Sequence, residues 1–190
     1  MNQISTWHIC ISGFRQHEQE PTGMQRLWVK LGDLRSPSTI VMLREWNSDW
    51  RSLAELIAQM FDYGFGSAPP DIYVYAYSWG AGYGLPTLAR YLLPSGLEIK
   101  HAVLADPVYR SRLVSFRWLA MTKWGDVEIP ENVRRVWWTR QTIDWPRGHE
   151  LVAVNPRKTR IDKPLVVNRG HLFMDEDPIF HNLALSARVA

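Results

Sequence analysis

Segments with a strand period and segments with a helix period alternate along this chain, and that alternation restricts the fold more than any other feature of the sequence. Alternation of this kind belongs to a mostly parallel sheet with helices on both faces. Trp7 to Ser12 reads as the first strand, ending at Gly13. Met24, Leu27, Trp28 and Leu31 then fall on one helical face, with Thr22 placed to cap it and Gly32 to stop it. Ile40 to Leu43 reads as a buried strand, and Ser48 is expected to cap a helix whose inner face is Leu53, Leu56, Ile57, Met60 and Phe61, ended by Gly64 and Gly66.

The pattern continues to the end of the chain. Ile72 to Tyr77 is a third strand, followed by a helix carrying Leu85, Leu88 and Leu92 that stops at Pro94 and Gly96. His101 to Ala105, Val133 to Thr139 and Leu165 to Val167 complete about six strands, and Pro178 to about Arg188 forms a closing helix. Asp175, Glu176 and Asp177 sit before that helix, where its dipole favours negative charge. Residues 107–132 carry Leu113, Val114, Phe116, Trp118, Leu119 and Trp124, too apolar for a plain linker, and read as a small cap or helical excursion. The expected architecture is α/β: a single-domain, three-layer α/β/α sandwich over residues 1–190, without internal repeats.

Composition narrows the function. At 190 residues, 46% hydrophobic and 22% charged, the chain has the balance of an ordinary globular protein. The net charge of +3 comes from 22 basic and 19 acidic residues scattered without a basic run, which argues against nucleic acid as a partner. No apolar stretch approaches the roughly 20 residues of a membrane span, and the opening MNQISTWHICISGF is not a signal peptide, so a cytoplasmic location is expected. The one cysteine, Cys10, lies inside a strand and reads as a small buried hydrophobe. His17 with Glu18 and Glu20 lacks a second cluster at ligand spacing, so no metal is expected; His8, His101, His149 and His181 read as structural or surface groups.

Chemistry concentrates at Ala76-Tyr-Ser-Trp-Gly, a serine flanked two positions away on each side by a small residue, at a strand-to-helix junction. That is the pattern of a nucleophile elbow, in which the turn is too sharp for bulk at either flank and lifts the serine oxygen above the sheet. The helix that follows aims its positive end at the site and places the N–H of Trp79 to stabilise an oxyanion. The competing reading is a phosphate loop, since Gly80, Gly82 and Gly84 follow a strand, although the third fingerprint glycine is replaced by Leu85 and no P-loop lysine follows. A serine nucleophile needs a base and the base needs a carboxylate, each at the end of a later strand. Asp106 ends the next strand and His171 follows the last; Asp144 is the alternative acid.

These segments resemble the α/β-hydrolase superfamily, in particular its small esterase-, lipase- or cutinase-sized members. The resemblance runs through the strand and loop Ile9-Cys-Ile-Ser-Gly-Phe, the Ala76 elbow, Leu104-Ala-Asp-Pro-Val and Gly170-His-Leu-Phe-Met-Asp, and lacks the usual first antiparallel strands and a His-Gly-Gly-Gly motif. It implies a serine hydrolase with the triad Ser78, Asp106 and His171, a second oxyanion amide from Phe14, a small-molecule ester or acyl substrate, and no cofactor. Two other expectations stand beside it. One is a non-catalytic binding or assembly protein on the same fold; the other is a nucleotide-binding domain using Gly80 to Gly84.

Overall fold

Parallel strands buried on both faces need apolar side chains on both sides of the sheet, and β1 (Thr6–Ile11) meets that need with five buried residues in a row. A computed structural model describes residues 4–14, 16, 21–61, 68–109 and 125–188. The other strands are β2 (Thr39–Arg44), β3 (Asp71–Tyr77), β4 (Ile99–Ala105), β5 (Val127–Ile129), β6 (Val133–Gln141), β7 (Leu151–Ala153), β8 (Arg160–Ile161) and β9 (Leu165–Val167). Seven of them form one sheet in the order β2-β1-β3-β4-β6-β8, with β9 also pairing β6, and β5 and β7 form a separate two-stranded sheet. Every described pairing is parallel.

Helices α1 (Gly23–Asp33) and α4 (Pro178–Ala187) cover one face; α2 (Trp50–Met60) and α3 (Leu85–Leu92) cover the other. The side-chain alternation of β3 shows how the layers are sorted. Ile72, Val74 and Ala76 join the core under α2 and α3, while Tyr73, Tyr75 and Tyr77 join the one under α1 and α4. The first core, which also holds Trp7, Trp50 and Trp138, is mostly aliphatic, with Ile9, Leu53, Ile57, Leu85 and Leu88 no more than 5% exposed. Each such residue contributes about 1.5–3 kcal/mol by leaving water.

The three-layer sandwich is the expected one, with local differences. Thr22 caps α1 in a capping box with Gln25, as its position suggests. Gly32 lies inside α1, which runs on to Asp33. Asp49, rather than Ser48, caps α2: its carboxylate accepts the N–H of Ser52 at 3.1 Å through one oxygen and the Ser52 hydroxyl at 2.7 Å through the other. The helix expected directly after Ser78 begins as one wide turn, Gly80–Gly84, before α3. The short strands β5, β7 and β8 have no counterpart in the sequence reading, because two or three residues carry no readable period. Gly64 and Gly66, and most of the expected 107–132 excursion, fall outside the described residues. Among the described residues no helix is long and apolar enough to cross a membrane.

The face under α1 and α4 also holds polar groups in register across the sheet: His8 stands beside Tyr73 and Tyr73 beside His101. His8 Nδ1 lies 2.9 Å from the Tyr75 hydroxyl, so the neutral ring has a hydrogen-bond partner in the core. Burial, reinforced by the positive charge of Arg188, pushes the His8 pKa down from 6.5 to about 4. Between those values the unfolded chain binds a proton that the folded chain does not, so stability rises with pH there and is lost as pH falls. His101, His149 and His181, also lowered by burial, act in the same sense. Denaturant unfolding of wild type against His8→Gln between pH 7 and pH 4 is expected to show the wild type losing up to about 3 kcal/mol more than the variant. Parallel pH profiles would contradict this account of His8.

Candidate active site

At the C-terminal edge of the sheet, two non-glycine residues adopt left-handed backbone: Ser78 with φ +52° after β3, and Asp106 with φ +42° after β4. Such residues are rare and persist only where their surroundings over-determine them. The Ser78 amide donates to Ala105 O at 3.0 Å, and the Ser78 carbonyl accepts from Ala81, Gly82 and Val108. The Asp106 amide donates to Thr139 O at 2.9 Å. Bulk is excluded where the elbow requires it: a Cβ on Gly80 would stand 2.6 Å from the carbonyl oxygens of both Ile11 and Ser12.

His171 opens a short 3-10 turn, His171–Glu176, and both of its backbone groups are held. Its amide donates to Asp144 Oδ1 at 2.8 Å, and its carbonyl accepts the Tyr77 hydroxyl at 2.8 Å. The ring is thereby aimed into the edge of the sheet. His171 Nε2 lies 2.9 Å from Ser78 Oγ, and Nδ1 lies 2.6 Å from Asp106 Oδ2. Exposure is 5% for Ser78, 4% for His171 and 0% for Asp106, so these hydrogen bonds are shielded from competing water. With a carboxylate at Nδ1, the proton of the neutral ring sits on Nδ1 and leaves Nε2 as the acceptor for the serine hydroxyl.

A buried carboxylate needs donors, and Asp106 has several. Oδ1 accepts from the amides of Gln141 at 3.2 Å and Gly148 at 3.0 Å, while Oδ2 also lies 3.3 Å from Gln141 Nε2. Gly148 comes this close because it lacks a side chain: a Cβ there would stand 2.5 Å from Asp106 Oδ1. Gln141 also shapes the loop beyond β6, accepting the amides of Ile143 and Asp144 and donating to the carbonyls of Asp144 and Pro146. Of the two candidate acids, Asp106 therefore meets the imidazole and Asp144 meets the His171 backbone.

The loop after β1 reaches over the serine. A Cβ on Gly13 would stand 2.8 Å from the Tyr77 ring and 3.1 Å from Ser78 Cβ, and the Phe14 and Trp79 rings lie 4.4 Å apart. Gly13 N–H is taken by Gln16 Oε1 at 2.8 Å. Gln16 Nε2 in turn donates at 2.6 Å to Asp175 Oδ2, which also accepts the Met24 amide at 3.0 Å. Burial raises the Asp175 pKa against the pull of these two donors. Gln16, Gln141, Tyr77 and the structural use of Asp175 all escaped the sequence reading. Only Asp175 was singled out there, and for the helix dipole instead.

The remaining expectations sort out plainly. The amides of Ala81 and Gly82 point at the Ser78 carbonyl, so the Gly80–Gly84 turn does not present them to a phosphate. Cys10 is fully buried, and burial pushes its thiol well above the usual range, which leaves no reactive thiolate. His8, His101, His149 and His181 are all buried rather than on the surface. His17, Glu18 and Glu20 lie outside the described residues, and among those described no group of three or more His, Cys, Asp or Glu side chains is arranged to hold a metal ion.

Fold and site together define an α/β protein with a buried Ser-His-Asp hydrogen-bonded chain at the C-terminal edge of a parallel sheet. Two solved structures are similar to it. ClbQ from the colibactin NRPS/PKS pathway is 11% identical over 97% of this chain and 99% of its own, with a TM-score of 0.44. RedJ, solved with a PEG molecule bound in its active site, is 13% identical over 96% of this chain and 89% of its own, with a TM-score of 0.45. No protein-family model matches the sequence, and no curated protein matches it.

The Gln16 bridge is open to direct test. Gln16→Leu leaves a buried carboxylate short of a donor and the Gly13 amide short of an acceptor, and is expected to cost about 1–3 kcal/mol in denaturant unfolding. Gln16→Glu, which adds a carboxyl beside Asp175, is expected to be at least as destabilising at pH 8 and to recover part of the loss at pH 5. Equal stability of all three proteins would show that the bridge carries no energy.

Proposed function

We propose that the chain is a serine hydrolase of the α/β-hydrolase type that cleaves a carboxylic ester or related acyl substrate. The observation that carries this reading is the continuous chain from Ser78 Oγ through His171 to Asp106, at 2.9 Å and 2.6 Å, in a buried site. In this reading Ser78 Oγ attacks the acyl carbonyl as its proton passes to His171 Nε2. Asp106 holds the Nδ1–H tautomer and balances the imidazolium that forms. The backbone N–H groups of Phe14 and Trp79 stabilise the oxyanion.

The proton on Nε2 then goes to the leaving group, an acyl-Ser78 ester remains, and a water deprotonated by His171 releases the acid. No cofactor or metal enters the sequence of steps. Asp144 is a positioning residue, because its carboxylate holds the amide of His171 and so the reach of the ring. Residues 1–190 are taken as one domain. Val108, a described residue at the start of the apolar 107–132 segment, donates its amide to the Ser78 carbonyl at 3.0 Å.

Fluorophosphonate labelling followed by intact mass is the discriminating experiment. Wild type is expected to take one adduct, Ser78→Ala none, and His171→Ala to react at least ~10³-fold more slowly. Asp106→Asn should fall nearly as far, whereas Asp144→Asn, which keeps an acceptor for the His171 amide, should stay within about tenfold of wild type. Hydrolysis of a panel of oxygen esters and thioesters then ranks leaving groups by kcat/KM. A folded wild type that takes no adduct would overturn the proposal in favour of a binding protein on this fold.

A further inference from the structure

Next to the serine in the chain, Trp79 joins Tyr83 of the same turn, Phe14 from the loop after β1 and Trp46 from the loop after β2 in a continuous wall of rings. Phe14 tilts against Trp79 at 4.4 Å, Trp46 meets Trp79 edge-on at 5.1 Å and Phe14 at 6.2 Å, and Tyr83 meets Trp46 edge-on at 6.0 Å. Trp79 follows the nucleophile directly and is only 5% exposed, whereas Phe14 remains 40% exposed. Two members of the wall, Trp46 and Tyr83, also line a cavity of about 430 Å³, together with Trp50, Arg51 and Tyr91. Among the described residues this cavity is lined by aromatic and polar side chains, with no Leu, Ile, Val or Met.

Several contacts hold this lining in place. Trp50 Nε1 donates to the Trp46 carbonyl at 3.2 Å, the Arg51 guanidinium stands 5.5 Å over the Tyr91 ring, and a Cβ on Gly84 would press against the Trp50 ring at 3.1 Å. A ligand pocket built this way rewards a particular shape. Rings fixed edge-on or offset offer a flat arene the stacking geometry that aromatic pairs prefer. A flexible alkyl chain gains burial and dispersion but no ring–ring geometry, and must give up rotor freedom to lie along the wall. Asn47, Ser48 and Asp49, which also line the cavity, add amide, hydroxyl and carboxylate partners for polar substituents on the arene.

We propose that the Phe14-Trp79-Trp46-Tyr83 wall and the cavity that Trp46 and Tyr83 line are the acyl-group subsite, and that they select esters of planar aromatic acids bearing hydroxyl or amide substituents. This rests on the serine-hydrolase reading, with Ser78 as the point of attack. The probe is methyl 4-hydroxycinnamate, which with water gives methanol and 4-hydroxycinnamic acid, compared with methyl butanoate.

Wild type is expected to favour the aryl ester by at least about tenfold in kcat/KM. Trp46→Leu, which keeps apolar bulk and removes the ring face, should lose about tenfold of that preference, whereas Trp46→Phe should retain most of it. Binding is measured separately from turnover, by ligand-observed NMR titration with 4-hydroxycinnamate and with butanoate. If Ser78 does not label and neither ester turns over, the hydrolase reading fails, and tighter binding of the aryl anion that is lost in Trp46→Leu still upholds the subsite. Equal treatment of the two esters, or of the two anions where there is no turnover, overturns the subsite whatever the labelling shows.

Discussion

The C-terminal edge of the sheet is organised around one buried carboxylate. Asp106 is fully inaccessible, and removing an unpaired carboxylate from water costs several kcal/mol or more. Its surroundings answer that cost with two backbone amides, a side-chain amide and an imidazole N–H. Each donor comes from beyond β4, so the end of β6, the loop to Gly148 and the turn at His171 all converge on this one group. The left-handed backbone at Asp106 is held because its own amide is bonded to Thr139 and its carboxylate is engaged on both oxygens. A change that unpairs any donor therefore disturbs folding and the reach of His171 together.

Much of this edge was legible because its demands are local. A sharp turn with a projecting serine requires small flanks, and Ala76 and Gly80 supply them; Gly80 can hardly be another residue beside two carbonyl oxygens. Asp106 and His171 were legible from chain order, because strand ends in a parallel sheet share one edge. In the sequence Asp106 directly ends a strand, whereas Asp144 lies several residues into a loop. The structure divides them between ring and backbone of the same histidine, and nothing in their sequence context announces that division.

What stayed hidden is long-range and polar. Gln16 and Asp175 are 159 positions apart, and an exposed-looking glutamine carries no periodic signal that it will bridge a loop to a buried acid. Gln141 is hidden for a similar reason: its worth lies in saturating the backbone groups of the loop after β6, a role with no periodic signal. Of the two readings the sequence leaves open for His8, His101, His149 and His181, structural or surface, burial selects the structural one, which hydropathy alone does not do because it treats histidine as polar. A neutral ring with a hydroxyl partner, as His8 has in Tyr75, belongs in a core. The two-residue β8 follows from its register with the longer β6, while β5 and β7, three residues each, pair only with one another and are too short to carry a period of their own.

The two faces of β3 put these observations into one frame. The face toward α2 and α3 is small and aliphatic near the elbow, ending at Ala76, which lets the following turn press against β1. The opposite face carries Tyr73, Tyr75 and Tyr77, whose hydroxyls make that core polar as well as bulky. Tyr77 spends its hydroxyl on the His171 carbonyl, and its ring lies 5.3 Å from the imidazole. Its bulk also sets the floor on which Gly13 and the start of the Phe14 loop rest. One strand thus supplies the serine, the support of the histidine and the seat of the loop above them. The spacing among those three is set by the pleat of a central strand in a parallel sheet, one of the stiffest elements the fold contains, and not by the loops that carry two of them.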